Sequence, residues 1–399
     1  MSFRSIFHRI KMRLISSASH LSFKPFREHT IVFESFGGRQ ISDSPLVVYQ
    51  DIKTRYPDVS CYWSIGRSSE LQSYCDRNNI PYVIRESFSW VKVLEKSDVW
   101  VSNARFPAWL NKPKRVQFIQ TWHGTPLKKL GLSIERVEMP GTSTELYHSN
   151  FVHEANRWDL LVSANKYSSN IFRKSFGYEN EIFEIGYPRN DELINASQKD
   201  IEQLKTKLKI PKNKKVILYA PTFRDDQFYK IGKYKFSLPF KLDDFEKQFG
   251  MNTVLILRMH YLIANEIDVS KYKNVVFDFS NYSNVSDLYL VSDMLITDYS
   301  SVFFDYAYLK RPILFYPFDF DNYKDKLRGF YLDYQSDLPG EIAYNQNELF
   351  NLISETLTNN STPLSLKFKT FYQQFCYIHE GNSGKLLADR IMDKKYKKN

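Results

Sequence analysis

The run Gln120-Thr121-Trp122-His123-Gly124-Thr125-Pro126-Leu127-Lys128 directly follows an apolar stretch, Val116–Ile119. A histidine on a glycine-containing turn after a strand stands where α/β folds present reactive groups, and Gly124 lets a ligand come close to the backbone. Imidazole is the natural general base near neutral pH. Thr125 followed by Pro126 reads as the cap and first turn of a helix whose free N–H groups would face an anion, with Lys128 one turn in. The same residues also fit a capped helix beside a buried, satisfied histidine.

Arg258-Met259-His260 follows the strand-like Thr253–Leu257. Alternation at a strand end puts positions 258 and 260 on one face, where a guanidinium and an imidazole would both suit phosphate. Pairing of Arg258 with a carboxylate, and His260 as a plain strand end, is the competing reading. In Thr297-Asp298-Tyr299-Ser300-Ser301-Val302-Phe303-Phe304-Asp305, after Met294–Ile296, Ser300 and Ser301 open a helix. Their hydroxyls and backbone donors would meet phosphate, and Asp305, one turn beyond Ser301, would take hydroxyls, unless the serines serve only as N-caps. Two further loops follow strands: Gly186–Asp191 with Arg189, and Ala220–Asp225 with Pro221 and Thr222. Five such coincidences from two halves of a chain are what an interdomain cleft would produce.

The elements that must hold these loops alternate short β-rich runs with longer helical stretches, the pattern of parallel α/β units. One series of strands reads Ile31–Ser35, Ser60–Ile65, Tyr82–Ile84, Val99–Ser102, Val116–Gln120, Leu160–Ser163 and Ile182–Ile185. A second reads Val216–Ala220, Thr253–Leu257, Val275–Phe277, Met294–Thr297 and Pro312–Phe315. Helices are expected at Leu349–Leu357, Leu366–Tyr377 and Gly384–Lys397. The chain of 399 residues is accordingly expected to form a basic segment at 1–29, a Rossmann-like domain at 30–195, a second at 196–378, and a C-terminal helix at 379–399 packing back on the first.

Apolar residues make up 43% and charged residues 25%, which excludes a disordered or fibrous chain. Cys61, Cys75 and Cys376 form no C-x-x-C pair, so neither a disulfide framework nor a zinc ribbon is expected, and a reducing compartment fits. Of the net +10, six cations lie in the first 27 residues (Arg4, Arg9, Lys11, Arg13, Lys24, Arg27) without an acidic residue. The remainder is only about four charges basic, too little to indicate nucleic acid. Phe3, Ile6, Phe7, Ile10 and Leu14 recur there at helical spacing, describing a basic amphipathic helix that lies on an anionic membrane surface or packs on its own protein. No apolar run approaches the ~18–20 residues of a membrane span.

Together WHGTPLK (122–128), GYPRND (186–191), APTFRD (220–225), RMH (258–260) and TDYSSVFFDYAYLKRP (297–312) resemble the CDP-glycerol glycerophosphotransferase family, the primases and polymerases of wall teichoic acid and related capsular polymers. Phe33-Glu34-Ser35-Phe36-Gly37-Gly38 with Ser44-Pro45 resembles the family's first strand and loop. The resemblance covers roughly residues 30–385. It implies a GT-B-like fold, two doubly wound domains facing across a cleft. It also implies transfer of glycerol phosphate from CDP-glycerol to a hydroxyl of a lipid-linked saccharide or polyol-phosphate acceptor, releasing CMP without a cofactor or essential metal, at the cytoplasmic face of the membrane.

Carried over by residue, His123 resembles the catalytic base and His260 the group that stabilises the donor phosphate. Trp122, Gly124, Thr125, Pro126, Arg189, Pro221, Thr222, Arg258, Met259, Ser300, Ser301 and Asp305 fall at donor-binding positions. Where the family has an acidic-Gly-x-Ala-Ser type segment, this chain has Glu380-Gly381-Asn382-Ser383-Gly384. CDP-ribitol is the alternative donor, since the shared motifs read CDP and phosphate. A non-catalytic membrane or nucleic-acid binder is the rival from another class. Asp319-Phe320-Asp321 imitates a D-x-D metal site but lies late, after Pro317, and reads as surface loop; Gly381–Lys385 lacks the first glycine and the hydroxyl residue of a P-loop. The sequence carries no signal for oligomeric state.

Overall fold

The computed structural model describes residues 3–21, 23–137, 142–222, 228–230, 233–234, 238–259, 268–320, 329–358, 364–378 and 380–393. The central strands form where apolar, largely β-branched and aromatic residues run on, because parallel strands covered on both faces bury most of their side chains. Thr253–Leu257 and Val99–Ser102 are buried at each position.

The first sheet has seven strands: β1 (Thr30–Glu34), β2 (Ser60–Ile65), β3 (Tyr82–Ile84), β4 (Val99–Ser102), β5 (Gln117–Gln120), β6 (Leu160–Ser163) and β7 (Glu181–Glu184), in the order β3-β2-β1-β4-β5-β6-β7. A two-stranded ladder joins β9 (Phe228–Lys230) to β10 (Lys233–Tyr234). The second sheet takes β8 (Lys215–Tyr219), β11 (Thr253–Leu257), β12 (Val276–Asp278), β13 (Met294–Thr297), β14 (Ile313–Phe315) and β15 (Glu341–Ile342), in the order β12-β11-β8-β13-β14-β15. All pairings within the two sheets are parallel. In each sheet the first strand of the series lies inside, with its successors going to opposite sides. That reversal is the switch point at which doubly wound sheets bind ligands beyond their carboxyl ends.

The chain divides into two compact units. One takes residues through His123, Leu130–Asp191 and the stretch from Ile378; the other takes Gly124–Lys129 and Glu192–Tyr377. The division falls a few residues before the expected 195, since the short helix Asp191–Asn195 begins at it. The aromatic wealth of the chain goes into the two cores. Trp63, Trp90, Trp100, Trp158 and Phe118 are fully buried in the first; Tyr219, Phe245 and Phe249 are buried in the second beside Leu255 and Ile296.

The last described helix, Ser383–Met392, places Leu387, Ala388 and Ile391 in the first core. It is shorter than Gly384–Lys397, whose last residues from 394 lie outside the described set. Arg55, on the helix Asp43–Arg55, bonds both Asp51 and Asp389. At the other end of the chain, the helix Phe3–Ala18 docks by Ile15 and Ala18, and Ser19 Oγ donates to the Trp109 carbonyl (3.2 Å). Ile6, Phe7, Ile10 and Leu14 stay exposed. Among the described residues no helix is long and apolar enough to cross a membrane.

Candidate active site

Three neighbouring strands of the first sheet, β1, β4 and β5, deliver one cluster at their carboxyl ends. The β5 end is shaped by Gln120, whose buried side chain accepts the Trp122 N–H (2.9 Å) and donates to the Ala104 carbonyl (3.1 Å). Trp122 is thereby held at φ +54, a conformation that costs a bulky residue about 1–2 kcal/mol. Its indole is buried against Trp158, Phe172 and Phe176, and it stacks on the His123 ring with centroids 4.5 Å apart. Trp122 therefore acts on the site as a backing wall.

His123 Nδ1 lies 2.7 Å from the Asn103 carbonyl oxygen. A carbonyl only accepts, so Nδ1 carries the proton and the neutral ring keeps its lone pair on Nε2, the form a general base requires. Protein atoms crowding the ring push the His123 pKa below 6.5, even though the residue keeps solvent-exposed surface. The Asn103 carbonyl and Asp43 pull it upward, while Arg189 and Arg105 add to the downward push. The Phe36 ring stands edge-on to the imidazole at 6.3 Å.

Arg189 Nη1 pairs with Asp43 Oδ2 at 3.0 Å, both side chains being 9% exposed, and its guanidinium lies over the Tyr187 ring. Asp43 has φ +62 and accepts the Ser44 N–H (2.6 Å). Asp43, Asn103 and Gln120 are functional candidates that sequence reasoning passed over, because a polar residue at a strand end or in the first turn of a helix is commonplace. Positive backbone φ at Asp43 is visible only in three dimensions.

Beneath the same edge, Glu34 is fully buried. Its Oε2 accepts from Ser64 Oγ (2.5 Å) and Arg85 Nε (3.2 Å), and Ser64 in turn accepts the Trp90 indole N–H (2.7 Å). Burial outweighs these partners and raises the Glu34 pKa to about 7.

The second sheet gathers its candidates on β11, β8 and β13. Asp298, fully buried, accepts the backbone N–H groups of Thr222 (2.7 Å) and Tyr299 (2.6 Å), and Thr297 Oγ1 donates to the Ala220 carbonyl (2.7 Å). These bonds lace the Pro221–Thr222 turn to the turn that carries Ser300 and Ser301. Arg258 follows β11 and its N–H donates to the Tyr219 carbonyl (2.9 Å); its guanidinium bonds the Ser280 carbonyl, and burial lowers its pKa. Met259 is buried, its N–H on Ser280 Oγ (3.0 Å). Ser301 precedes the short helix Val302–Tyr306 without a side-chain cap bond, so capping does not explain it, and Asp305 is buried on that helix. His260 lies outside the described residues.

One expectation is corrected. No helix follows Thr125. Gly124, Thr125 and Pro126 are buried in an extended segment in which Lys128 bridges to Phe330, the Lys129 N–H donates to Gly329 and the Leu127 carbonyl accepts from Tyr331 (2.8 and 2.9 Å). Those bonds occupy the backbone groups that a helix would need, so no helix N-terminus faces an anion there. At 381–385 the N–H groups of Ser383 and Gly384 are filled by the Asp191 carboxylate (3.0 and 2.8 Å). Asp319 accepts from Tyr299 Oη (3.1 Å), and Asp321 lies outside the described residues. Among the described residues no three His, Cys, Asp or Glu side chains gather as a metal site.

The profile of the CDP-Glycerol:Poly(glycerophosphate) glycerophosphotransferase family matches residues 16–393. The chain is 46% identical over 371 residues to a teichoic acid poly(glycerol phosphate) polymerase of Staphylococcus epidermidis, covering 91% of this chain and 50% of that one. It is 40% identical to a teichoic acid glycerol-phosphate transferase of Staphylococcus aureus, covering 95% and 98%. The chain thus spans about half the length of the first of these relatives. A poly(ribitol-phosphate) polymerase of Bacillus spizizenii is 27% identical, over 96% of this chain and 60% of that one. The solved wall teichoic acid polymerase TagF superposes with a TM-score of 0.87 at 41% identity, covering 97% of this chain and 94% of that one.

Proposed function

The chain belongs to the CDP-glycerol:poly(glycerophosphate) glycerophosphotransferase family, and from that premise we propose that it transfers glycerol phosphate from CDP-glycerol to a hydroxyl of a lipid-linked acceptor in teichoic acid synthesis. The observation that carries this reading is His123, neutral, with Nδ1–H spent on a carbonyl and Nε2 free to take a proton. Nε2 removes the proton of the acceptor hydroxyl, and that oxygen attacks the phosphorus bearing glycerol. The bond from this phosphorus to the bridging oxygen breaks, and CMP leaves with the electron pair. Charge grows on the phosphoryl oxygens and on CMP, so donors do most of the work of the second sheet.

Arg258, the Thr222 turn, Ser300 and Ser301 are proposed to hold CDP, with Asp305 on a hydroxyl. His260 is assigned to the departing phosphate by the family resemblance. No step requires a cofactor or metal. Glycerol is preferred to ribitol because similarity to glycerol-phosphate enzymes is much the greater.

The exposed stripe Ile6, Phe7, Ile10 and Leu14, accompanied by Lys11 and Arg13, supports peripheral attachment to an anionic membrane at its cytoplasmic face. Deleting residues 2–15 is expected to abolish flotation with anionic vesicles; undiminished flotation would refute attachment. The reaction is tested by CMP release from CDP-glycerol and, in parallel, CDP-ribitol, using a prenyl-linked disaccharide acceptor and His123→Ala as control. Release from CDP-glycerol alone, lost in the variant, is expected. Equal release from the variant would remove His123 as base, and release from CDP-ribitol alone would replace the donor.

A further inference from the structure

Asn103 directly follows β4 and is fully buried, and its polar atoms are unequally employed. The main-chain carbonyl accepts Nδ1–H of His123, and the side-chain Oδ1 accepts the Phe36 N–H, each at 2.7 Å. Since a backbone N–H needs an acceptor, the amide is fixed with Oδ1 toward Phe36. Nδ2 is then left as a buried donor with no partner among the described residues. An unmet donor of this kind costs roughly 1–3 kcal/mol, so stability does not explain the amide.

An aspartate would accept the Phe36 N–H equally well and leave no donor unmet. It would also put a negative charge on the residue whose carbonyl bonds the imidazole. The loop that the amide holds is itself strained: Phe36, Gly37 and Gly38 have φ of 49, 66 and 79°, and Phe36 has a side chain to clash there. That loop brings the Phe36 ring against His123.

We propose that Asn103 is the positioning residue of the reaction centre: its carbonyl selects which nitrogen of His123 is protonated, and its uncharged amide clamps the Phe36–Gly38 loop against the ring. The inference rests on the reading of His123 as base. The charged groups acting on the ring are Asp43, Arg189 and Arg105, so an added carboxylate at position 103 would shift a balance that now favours the neutral ring.

Two variants of the full chain separate the functions. Asn103→Asp keeps the clamp and adds charge; Asn103→Leu keeps the volume and removes the clamp. In Asn103→Asp, the His123 NMR titration, assigned by its loss in His123→Ala, should move to higher pH. The acid limb of kcat/KM should move with it, cutting the rate at pH 6.5 roughly tenfold and recovering at pH 9. In Asn103→Leu the rate should fall roughly 10–100-fold at every pH with no displacement of the limb, and with the KM for CDP-glycerol little changed. An unmoved His123 titration in the Asp variant, or wild-type kcat in the Leu variant, overturns the proposal. The titration is read without turnover, so it stands apart from the base reading, which fails if His123→Ala is active. If the Asp variant does not fold, the Leu variant decides alone.

Discussion

The carboxyl edges of the two sheets share a topology and differ in what secures them. At the first, side-chain amides and strained residues do the fixing: Gln120 holds Trp122, Asn103 holds Phe36, and Asp43 holds Arg189 from a left-handed backbone. At the second, one buried carboxylate, Asp298, gathers backbone N–H groups, and Arg258 rests on a main-chain carbonyl. The first arrangement fixes a ring and a tautomer, which proton transfer needs. The second ties two turns together beyond the strand ends, where Ser300, Ser301 and Arg258 are proposed to meet CDP. The two edges thus differ in what fills the loops rather than in the sheets.

The sharpest way to break that contrast is His123→Ala. Turnover should fall by ~10²–10⁴ while CDP-glycerol binding, measured by calorimetry, stays within about threefold. Loss of binding together with turnover would merge the two edges into one binding site.

Glu34 tests the first edge through stability. Its folded pKa of about 7 lies above the ordinary 4.5, so between these values the folded state holds more proton than the unfolded one. Stability therefore falls as pH rises through that window, by about 3 kcal/mol in all, and stays low above it. Glu34→Gln should remove that slope, and Arg85 would keep Glu86 (2.7 Å) as partner. Thermal melts at pH 5 and pH 8 check this; parallel slopes in wild type and variant would mean that Glu34 stays ionised.

Arg258→Ala is the converse probe. Loss of a charge-assisted contact to the nucleotide should weaken CMP binding by about 2 kcal/mol, some thirtyfold, without moving the acid limb of the pH profile. A shifted limb with unchanged CMP affinity would assign Arg258 to proton chemistry and erase the division of labour.

Much of the framework was legible before the structure. Parallel strands buried on both faces are continuous apolar runs, so Ser60–Ile65, Val99–Ser102 and Thr253–Leu257 were readable to the residue. The loops carrying His123, Arg258 and Ser300 were legible because they directly follow such runs. The expected helix at Thr125 failed since its signal is local, whereas the competing partner, Gly329–Tyr331, lies far along the chain. Asn103 and Gln120 were hidden for a related reason: their roles depend on which strands become neighbours, and the order β1-β4-β5 is not written in any one segment.

The smallest effect concerns how the far end of the chain supports the first edge. Asp191, two residues beyond Arg189, accepts the Ser383 and Gly384 N–H groups and so caps the ten-residue helix Ser383–Met392. Asp191→Ala should cost about 1 kcal/mol, or about 2 °C in Tm, as loss of a helix cap does in general. Asp191→Asn keeps one acceptor and should recover part of it. Because the same residue ends the loop that presents Arg189, kcat should fall in step with the lost stability if the helix braces that loop. An unchanged Tm would leave the helix held by its apolar face and by the bond from Ser383 Oγ to the Ile185 carbonyl, and Arg189 would then keep its place, beside Asp43 and over Tyr187, without help from the helix.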